Sequence, residues 1–411
     1  MKFFRHFGLA AVLLLAGCTS NSTGSSDTNS TTNTSVVVLS FGTPFQRSLD
    51  SGAGGATSGQ ITAVGDFNGD GRADFAVANP ATNSISVFLN SGGGGFNAEV
   101  KFAGPLSGPK AIAVGDFNKD GALDIVAIGT NQASFLLNNG AGAFPTHVEL
   151  PIGTDNRGVD AADFDGDGNL DAAICDAAGS PLHIVFGDGS STVTNYVSQD
   201  FNAAAGTVLA PLSIVKGDFN QDGRIDVAVA NQGSDFLTIW LNAIGSRAAM
   251  FPSGNTIITN LNLPAGNRAQ ALTVGDLNGD GRADLAAGSN STTSATAQLF
   301  INVPQGIFNT SGQQPMSPNP RGSAIADFNQ DGLADLVVVS ANGLNSNGTG
   351  EADFFLGNGF GVLNVQFAVP VATGKLATSV SVADFNGDGR PDVVVAGPGQ
   401  ASVIINTSSK Q

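Results

Sequence analysis

Seven short segments of this chain carry carboxylate and amide side chains at alternate positions. The first runs from Asp66 to Asp74 and reads Asp-Phe-Asn-Gly-Asp-Gly-Arg-Ala-Asp. The other six begin at Asp116, Asp163, Asp218, Asp276, Asp327 and Asp384. Aspartate occupies positions 1, 5 and 9 of every copy, and position 3 is asparagine in all copies except the third. Oxygen ligands at alternate positions of a tight loop suit a hard divalent cation, so the pattern predicts seven metal-binding loops.

Calcium fits this donor set better than the other common metals. Glycine occupies position 6 of all seven copies, and its positive φ lets the carbonyl of position 7 point inward, as predicted for Gly71 and Arg72. Calcium accepts about six to eight oxygen ligands in flexible geometry, whereas magnesium demands a tighter octahedron and zinc prefers histidine or cysteine. The loops are not EF-hands, because Val77 stands at position 12, where an EF-hand has glutamate.

Each predicted site combines the side chains of positions 1, 3, 5 and 9 with the main-chain carbonyl of position 7. The predicted ligands are Asp66, Asn68, Asp70, Arg72, Asp74, Asp116, Asn118, Asp120, Ala122, Asp124, Asp163, Asp165, Asp167, Asn169, Asp171, Asp218, Asn220, Asp222, Arg224, Asp226, Asp276, Asn278, Asp280, Arg282, Asp284, Asp327, Asn329, Asp331, Leu333, Asp335, Asp384, Asn386, Asp388, Arg390 and Asp392. We therefore expect up to seven calcium ions, one for each loop. The alternative is an Asx-type turn without metal, although such a turn needs one aspartate or asparagine rather than four. The arginines at position 7 either cover the rim or pair with nearby aspartates.

The acidity of the chain is concentrated in these loops. The formal net charge is −17, with 34 acidic and 17 basic residues. Of the 31 aspartates, 22 lie in the seven loops, whereas glutamate occurs three times in the whole chain. A general acidic surface would mix the two residue types, so we attribute the charge to ion ligation rather than to a basic partner. No basic cluster follows the N-terminal segment, and we therefore expect no nucleic-acid binding.

The loops recur at intervals of 47 to 58 residues, and the segments between them are typical of short strands. An apolar strand such as Ile61–Val64 precedes each loop, and a second apolar strand such as Phe75–Ala78 follows it. A third strand alternates polar and apolar residues, as in Ser84–Leu89, and a turn such as Asn90–Phe96 leads into a fourth. Four strands per repeat predict an all-β fold, namely a seven-bladed β-propeller with four-stranded blades.

The two ends of the repeat region predict how the ring closes. The last repeat has three strands after Thr378 and finishes at Ala401–Asn406. Val36–Arg47 precedes the first loop and has no loop of its own, so we expect it to supply the missing outer strand of the seventh blade. The propeller is thus expected to span residues 36–406, with a C-terminal tail at residues 407–411.

These motifs resemble the FG-GAP/VCBS repeat. The resemblance rests on the nine-residue loop, the apolar strand after it and the glycine-rich turn that follows Phe-Leu-Asn, and it covers Val36–Asn406. It implies the seven-bladed propeller of integrin alpha chains and of many bacterial surface proteins, with a calcium loop between the first and second strands on one rim. The chain departs from the family pattern at Lys119, Gln221 and Gln330, which replace glycine at position 4. Position 4 is not a ligand position, so the calcium prediction is unaffected, whereas integrin-like adhesion does not follow from the fold.

The N-terminus is typical of an export signal. Residues 1–17 combine a basic start with the apolar stretch Phe7–Ala16, which is too short to span a bilayer. Leu15–Cys18 resembles the lipobox of bacterial lipoproteins, which implies cleavage before Cys18 and lipid attachment to it. The alternative is an ordinary signal peptide followed by a chance cysteine.

Residues 18–35 are rich in serine, threonine and asparagine and are expected to form a flexible tether. Two acyl chains would anchor such a protein stably in a membrane. By resemblance to lipoproteins of Gram-negative bacteria, Thr19 after the cysteine implies the outer membrane. The expected location is therefore the bacterial cell envelope.

Few other residues are suited to chemistry. Cys175 lies in an apolar strand segment and is expected to be a small buried hydrophobe rather than a catalytic thiol. His147 and His183 align with polar strand positions, so we expect both to face outward from their blades. Trp240 aligns with Phe88 and is expected to lie in the blade core.

The leading hypothesis is a non-enzymatic binding, adhesion or structural module that is stabilised by calcium. Its expected ligand is a protein or a glycan on the envelope or outside the cell. The alternative is a polysaccharide lyase or hydrolase on the same propeller, with Asp155 and Asp160 in a connection between blades where a site could form. The sequence contains no histidine cluster, no paired glutamates and no apparent Ser-His-Asp arrangement, which favours the binding module.

Recognition is expected on the rim opposite the calcium loops. Irregular segments are predicted there, and loops on a rigid scaffold are where binding sites usually lie. The segments are Asn290–Ala295, Ser340–Glu351, Asp200–Pro211 and Gln313–Arg321. The alternative is that they are tolerated surface insertions.

Overall fold

The computed structural model consists of strands joined by turns. It describes residues 39–42, 45–49, 61–103, 106–178, 182–190, 197–201, 210–243, 250–251, 261–263, 267–290, 295–341, 350–370 and 376–408. The predicted signal peptide, Cys18 and the predicted tether lie outside the described residues. Within them, 28 strands form seven four-stranded sheets and two more form a short hairpin.

Each four-stranded sheet is one blade of a propeller, and every strand pair in it is antiparallel. The first strands are Thr62–Gly65, Ala111–Gly115, Asn156–Ala162, Pro211–Gly217, Arg268–Gly275, Pro320–Ala326 and Ser379–Ala383. The second strands are Asp74–Asn79, Asp124–Ile128, Asp171–Asp176, Asp226–Asn231, Asp284–Asn290, Asp335–Ser340 and Asp392–Gly397. The third strands are Ser84–Phe88, Gln132–Leu137, Leu182–Phe186, Phe236–Trp240, Ala295–Val303, Glu351–Gly357 and Gln400–Ile404. The outer strands are Val100–Ala103, Thr146–Pro151, Val197–Phe201, Leu261–Asn262, Ile307–Met316, Leu363–Pro370 and Phe45–Ser48. This arrangement confirms the predicted all-β, seven-bladed propeller.

The apolar content of the strands follows their position in the blade. Every residue of the second strand Asp226–Asn231 is buried, because a middle strand is covered by the neighbouring blade on each face. The outer strand Thr146–Pro151 instead alternates between exposed and half-buried residues. Trp240, at the end of a third strand, is 3% exposed and packs in the core, as predicted.

The ring closes through the N-terminal strand. Phe45–Ser48 pairs with Gln400–Ile404 and forms the outer strand of blade 7. On the inside of the ring, the Thr62 hydroxyl of blade 1 lies 2.7 Å from the Ser379 hydroxyl of blade 7. The predicted closure by Val36–Arg47 is therefore observed, with the paired strand at the end of that segment.

The seven aspartate loops, numbered 1 to 7 with their blades, lie on one rim because each joins a first strand to a second strand. The turns between third and outer strands lie on the same rim, which we call the loop rim. The chain also reaches the ring there: Phe41 pairs with Asn406, whose carbonyl accepts a hydrogen bond from Nε of Arg390 in loop 7 (3.0 Å). The turns between second and third strands lie on the opposite rim.

Two sequence predictions about the opposite rim need correction. Gln313–Met316, predicted to be irregular, extends the outer strand Ile307–Met316, because it pairs with Ala295–Gln298. Asp160, predicted in a connection between blades, lies in the first strand Asn156–Ala162. The predicted irregular segments Asn290–Ala295, Ser340–Glu351 and Asp200–Pro211 fall largely outside the described residues.

Candidate metal centre

Position 1 of each loop organises the turn. In loop 1, Asp66 Oδ1 accepts a hydrogen bond from the amide of Asp70 (3.1 Å), and Oδ2 accepts one from the amide of Gly71 (2.7 Å). The same two bonds recur in the other six loops. They wrap the backbone around one carboxylate and hold its oxygens at the centre of the loop.

Positions 3 and 5 are brought to the same place. Asn68 Oδ1 accepts from the amide of Asp70 (3.2 Å), and Asn68 Nδ2 donates to Asp70 Oδ2 (2.8 Å). The other oxygen of Asp70 accepts from the amide of Arg72 (3.0 Å). Because a carboxylate oxygen has two lone pairs, these bonds leave acceptor capacity for a cation.

Two positions of the loop need the left-handed backbone region. Gly71 at position 6 has φ +82°, and the equivalent glycines of the other loops have φ between +81° and +88°. Position 4 is also left-handed, which explains the frequent glycine there. Lys119, Gln221 and Gln330 nevertheless adopt φ values of 56–59° at this position. They keep the loop geometry at some conformational cost.

The aspartate at position 9 joins the loop to the end of the third strand through buried hydrogen bonds. Asp74 is fully buried; its Oδ2 accepts from the amide of Phe67 (2.9 Å) and its Oδ1 from the amide of Asn90 (2.6 Å). The same pair of bonds occurs in every loop. Burial raises the pKa of Asp74 to about 6, against the lowering effect of these two bonds. A cation nearby would favour the ionised form of this carboxylate.

Loop 3 has the most acidic centre. Asp163, Asp165 and Asp171, at positions 1, 3 and 9, each offer a carboxylate oxygen, and these oxygens all lie within 4.8 Å of one another. Burial raises the pKa of Asp171 to about 7, and the nearby charge of Asp165 adds to the rise. Convergent oxygens of this kind fit calcium, which prefers carboxylate and carbonyl ligands. Three of the five residues predicted to bind a cation in loop 3 thus lie together in the structure.

Four loops contain an arginine that binds the loop itself. In loop 1, the guanidinium of Arg72 forms an ion pair with Asp70 at position 5. Its Nε also donates to the carbonyl of Asn90 (2.9 Å). The equivalent contacts occur at Arg224, Arg282 and Arg390. Of the two predicted alternatives for these side chains, the structure shows the pairing with aspartate.

An asparagine at the end of the third strand links neighbouring loops, and sequence reasoning missed it. Asn138 of blade 2 donates from Nδ2 to the carbonyl of Phe67 in loop 1 (2.8 Å), and its amide donates to Asp124 Oδ1 (2.7 Å). The same cross-blade bond is made by Asn90, Asn242, Asn302 and Asn406. Asparagine at this point of five repeats was the available signal, but the partner lies in the preceding blade.

In blades 3 and 6, glycine replaces this asparagine. A Cβ on Gly357 would lie 2.1 Å from the carbonyl oxygen of Ala334, so a side chain does not fit there. Gly187 and Gly357 still donate their amides to the position 9 aspartates Asp171 and Asp335. These blades therefore keep the support of the loop but lack the side-chain link.

The histidine predictions have different outcomes. His147 lies on an outer strand with a half-exposed side chain, as expected. His183 is 4% exposed, and its Nε2 lies 3.3 Å from Asp176 Oδ2, so the expectation that it faces outward is wrong. The reason is its third strand, which is covered on both faces; Ser86 and Thr238 at the aligned positions are buried as well.

The other singled-out residues are engaged in the structure. Cys175 is fully buried, and burial raises the pKa of its thiol to about 12, which is consistent with a structural role. Asp155 lies between Lys110 and Arg157, with 2.6 Å contacts to both. Asp160 lies 3.3 Å from Lys216 Nζ. Cys18, the predicted lipid-attachment residue, falls outside the described residues, among which no helix is long and apolar enough to cross a membrane.

Several solved structures align with this chain. The BBS1N chain crystallised in complex with ARL6DN and soaked with lead aligns at a TM-score of 0.58 and 12% identity, over 92% of this chain and 99% of that one. A mercury-soaked crystal of the same complex aligns at 0.55 and 13% identity, over 90% and 97%. An Agrocybe aegerita lectin that recognises non-reducing terminal N-acetylglucosamine aligns at 0.49 and 18% identity, over 82% and 85%.

The repeats themselves match a known family. The FG-GAP-like repeat matches residues 66–127, 116–174, 218–287, 276–338 and 327–395. No curated protein sequence matches the chain. Each FG-GAP match runs from one aspartate loop into the next, and together the matches contain all seven loops. Because they cover more than half of its length, this chain belongs to the family of FG-GAP-like repeat proteins.

Proposed function

We propose that this protein is a calcium-stabilised propeller that is held on the bacterial envelope by lipid at Cys18 and acts as a non-enzymatic binding or structural module. The convergence of Asp163, Asp165 and Asp171 in loop 3 carries the calcium part of the proposal. The same hydrogen-bonded frame recurs in all seven loops, so one cation per loop is expected. Its ligands would be the oxygens of positions 1, 3, 5, 7 and 9.

Calcium would act on stability. A cation that binds the folded state alone adds about 2.7 kcal/mol per site when its free concentration is a hundredfold above the dissociation constant. Without a cation, at least three carboxylates are held close together in each loop, and their repulsion opposes folding. The acidic loops are therefore best explained as structural cation sites rather than as a surface for a basic partner.

Counting bound ions tests the calcium proposal. The mature chain with Cys18→Ser is dialysed against buffered calcium, and bound metal is measured by atomic emission. About seven ions per chain are expected, and Asp276→Ala is expected to remove one, because Asp276 Oδ1 and Oδ2 organise loop 5. Retention of all seven ions in that variant would contradict the ligand assignment for the loop.

The anchoring proposal rests on the lipobox-like Leu15–Cys18. Cys18→Ser is expected to move the protein from the membrane fraction to a soluble or uncleaved form, whereas Cys175→Ser should leave the location unchanged. Cys175 is a suitable control because its side chain is buried. Recovery of the Cys18→Ser protein in the membrane fraction after a high-salt wash would contradict lipid attachment.

The binding role is proposed for the opposite rim and for a protein or glycan ligand. The loop rim is occupied by repeated, hydrogen-bonded turns, which leaves less scope there for a varied surface. The similar BBS1N propeller was crystallised with a protein partner, ARL6DN, so a protein ligand is within the range of this fold. A pull-down from envelope extracts, with and without substitutions on the opposite rim, tests this part. Capture that is insensitive to the opposite rim but lost on a folded loop-rim variant would contradict it.

A further inference from the structure

The exposed apolar side chains of the described residues are concentrated in one place. Four large ones are exposed, and three of them lie at the loop-rim ends of blades 5 and 6, with Phe360 and Val362 in the turn of blade 6 and Ile307 at the start of the outer strand of blade 5. Phe360 is 84% exposed, Ile307 53% and Val362 37%. We call these three residues the apolar tip. The fourth, Val100, is likewise the first residue of an outer strand, but in blade 1.

The position of Phe360 is unlike that of the phenylalanines in other blades. Phe96 and Phe144 lie six residues after the end-of-strand asparagine and are buried. In blade 6 the sixth position after Gly357 is Leu363, which fills the core, and Phe360 lies three residues earlier. Phe360 is therefore not the counterpart of Phe96, and Leu363 takes that position in blade 6. The core does not need this aromatic ring.

The turns of blades 5 and 6 lie side by side. Gly361, with φ +70°, packs so closely on blade 5 that a Cβ there would lie 2.5 Å from Ile301 Cδ1. Ile301 is two residues before Val303, which pairs with Ile307. The turn that carries Phe360 and Val362 is thus packed against the end of the third strand of blade 5, whose last residue pairs with Ile307. The three residues of the apolar tip therefore lie on adjacent blades at the loop rim.

The N-terminal segment reaches the propeller on the same rim and beside the same blade. Phe41 pairs with Asn406 at the loop-rim end of blade 7, and its ring lies 4.5 Å from that of Phe354 in blade 6. Twenty residues lie between Cys18 and Leu39, and a polar linker of that length spans about 25 Å on average. A lipid on Cys18 would therefore hold the loop rim close to the bilayer.

We propose that the apolar tip rests in the lipid surface and turns the loop rim toward the membrane. This inference rests on the proposed lipid anchor, which would keep the loop rim close to the membrane, whereas the apolar tip would orient the rim toward it. A phenylalanine with neighbouring aliphatic residues is the type of group that partitions into the headgroup boundary. Cations bound in the loops would reduce the negative charge of this rim next to anionic lipids. The opposite rim then faces away from the membrane, where a ligand can reach it.

Chemical tethering tests the orientation separately from lipidation in the cell. Residues 18–411 are purified with calcium and coupled through the Cys18 thiol to maleimide lipid in phosphatidylethanolamine–phosphatidylglycerol vesicles. Cys175 is buried and should not compete for the coupling. Phe360→Trp and the matched control Val100→Trp report contact with brominated lipids, and the native Trp240, which is buried, gives the background in both.

We expect quenching of the tryptophan at 360 to be severalfold greater than at 100, with a blue shift when vesicles are added. Ile307→Ser in the Phe360→Trp protein should weaken that quenching. Equal quenching at the two positions would overturn the proposal. A concentration-dependent blue shift at 360 without vesicles would also overturn it, because the tip would then be a contact between copies of the chain. Since the coupling is chemical, neither result depends on whether the cell lipidates Cys18.

Discussion

Loop 3 and the arginine-containing loops 1, 4, 5 and 7 have the same hydrogen-bonded backbone arrangement but differ in net charge. Loop 3 holds four carboxylates and has Asn169 at position 7, which makes four negative charges. Each arginine loop holds three carboxylates and one guanidinium, which leaves two. In loop 4, Arg224 bonds both Asp222 and the carbonyl of Asn242. The arginine therefore provides part of the compensation that a cation would provide.

Loop 3 has no arginine at position 7, and a basic group of the neighbouring loop lies beside it. A Cβ on Gly168 would lie 3.7 Å from Lys119 Nζ, so the ammonium group of loop 2 lies beside loop 3. This contact is at the edge of the loop, whereas Asp163, Asp165 and Asp171 converge at its centre. Like charges at about 4 Å repel by about 1 kcal/mol in water and more where water is excluded. We infer that loop 3 depends most on a bound cation and the arginine loops least.

The largest effect is expected at position 9, where the two loop types make the same hydrogen bonds. Asp226→Ala removes the acceptor for the buried amides of Phe219 and Asn242, and Asp171→Ala does the same in loop 3. At about 1.5–3 kcal/mol per bond to a charged group, the loss of two bonds should cost each variant about 3–6 kcal/mol. Urea unfolding in excess chelator measures this, with the exposed Asp188→Ala as control. Losses in the free energy of unfolding that differ widely between the two loops in chelator would contradict a shared hydrogen-bonded frame.

A smaller effect with opposite signs is expected for Asp165→Asn. The change gives loop 3 the asparagine of the other loops, which removes a repulsive charge and adds a donor for Asp167, as Asn220 provides for Asp222. In chelator the free energy of unfolding should rise by about 1–2 kcal/mol. In calcium it should fall, because one ligand charge is lost. Unfolding curves in the two buffers measure both values.

The converse substitution sharpens the same test. Asn220→Asp adds a carboxylate to loop 4, so it should destabilise the protein in chelator and strengthen calcium binding at that loop. The effect should be smaller than in loop 3, because Arg224 lies in the same loop. A shift of the same sign in both buffers, for either variant, would show that position 3 acts on the turn and not on a cation.

The smallest effect is expected for Arg224→Ala. The side chain of Arg224 is 35% exposed, and ion pairs of such exposure contribute about 0.5 kcal/mol. Stability in chelator should fall by about that amount, while calcium affinity at loop 4 rises because the loop becomes more negative. Arg268→Ala, an exposed arginine away from the loops, is the matched control. Unchanged or weaker calcium binding in Arg224→Ala would show that the arginine does not oppose cation binding at loop 4.

Repetition explains how much of the molecule could be predicted from the sequence. Seven copies of one loop, flanked by strands of regular length, predict the blade count, the position of the loops and the closure by the N-terminal strand. The candidate ligand positions follow from the residue types at alternate positions, as at Asp163 and Asp165. These features depend on local sequence patterns, which are repeated seven times along the chain.

What could not be predicted depends on neighbouring blades. His183 looked like an outward-facing strand residue, but the next blade covers its strand. The Asn138 link needs a carbonyl 71 residues earlier in the chain, at Phe67. In blade 6, Leu363 holds the core position that phenylalanine holds in blades 1 and 2, whereas Phe360 is exposed. In each case a contact between blades decides the outcome, and one repeat read alone does not contain it.

Thermal unfolding of the mature chain with Cys18→Ser tests the central claim most directly. The melting temperature is measured in excess chelator, after adding back Mg²⁺ and after adding back Ca²⁺. Chelation should lower the melting temperature by many degrees, since up to seven sites add to the stability of one closed ring. Calcium should restore it, and magnesium should restore it less, because the loops offer several oxygen ligands in a flexible arrangement. An unchanged melting curve in excess chelator would contradict the account.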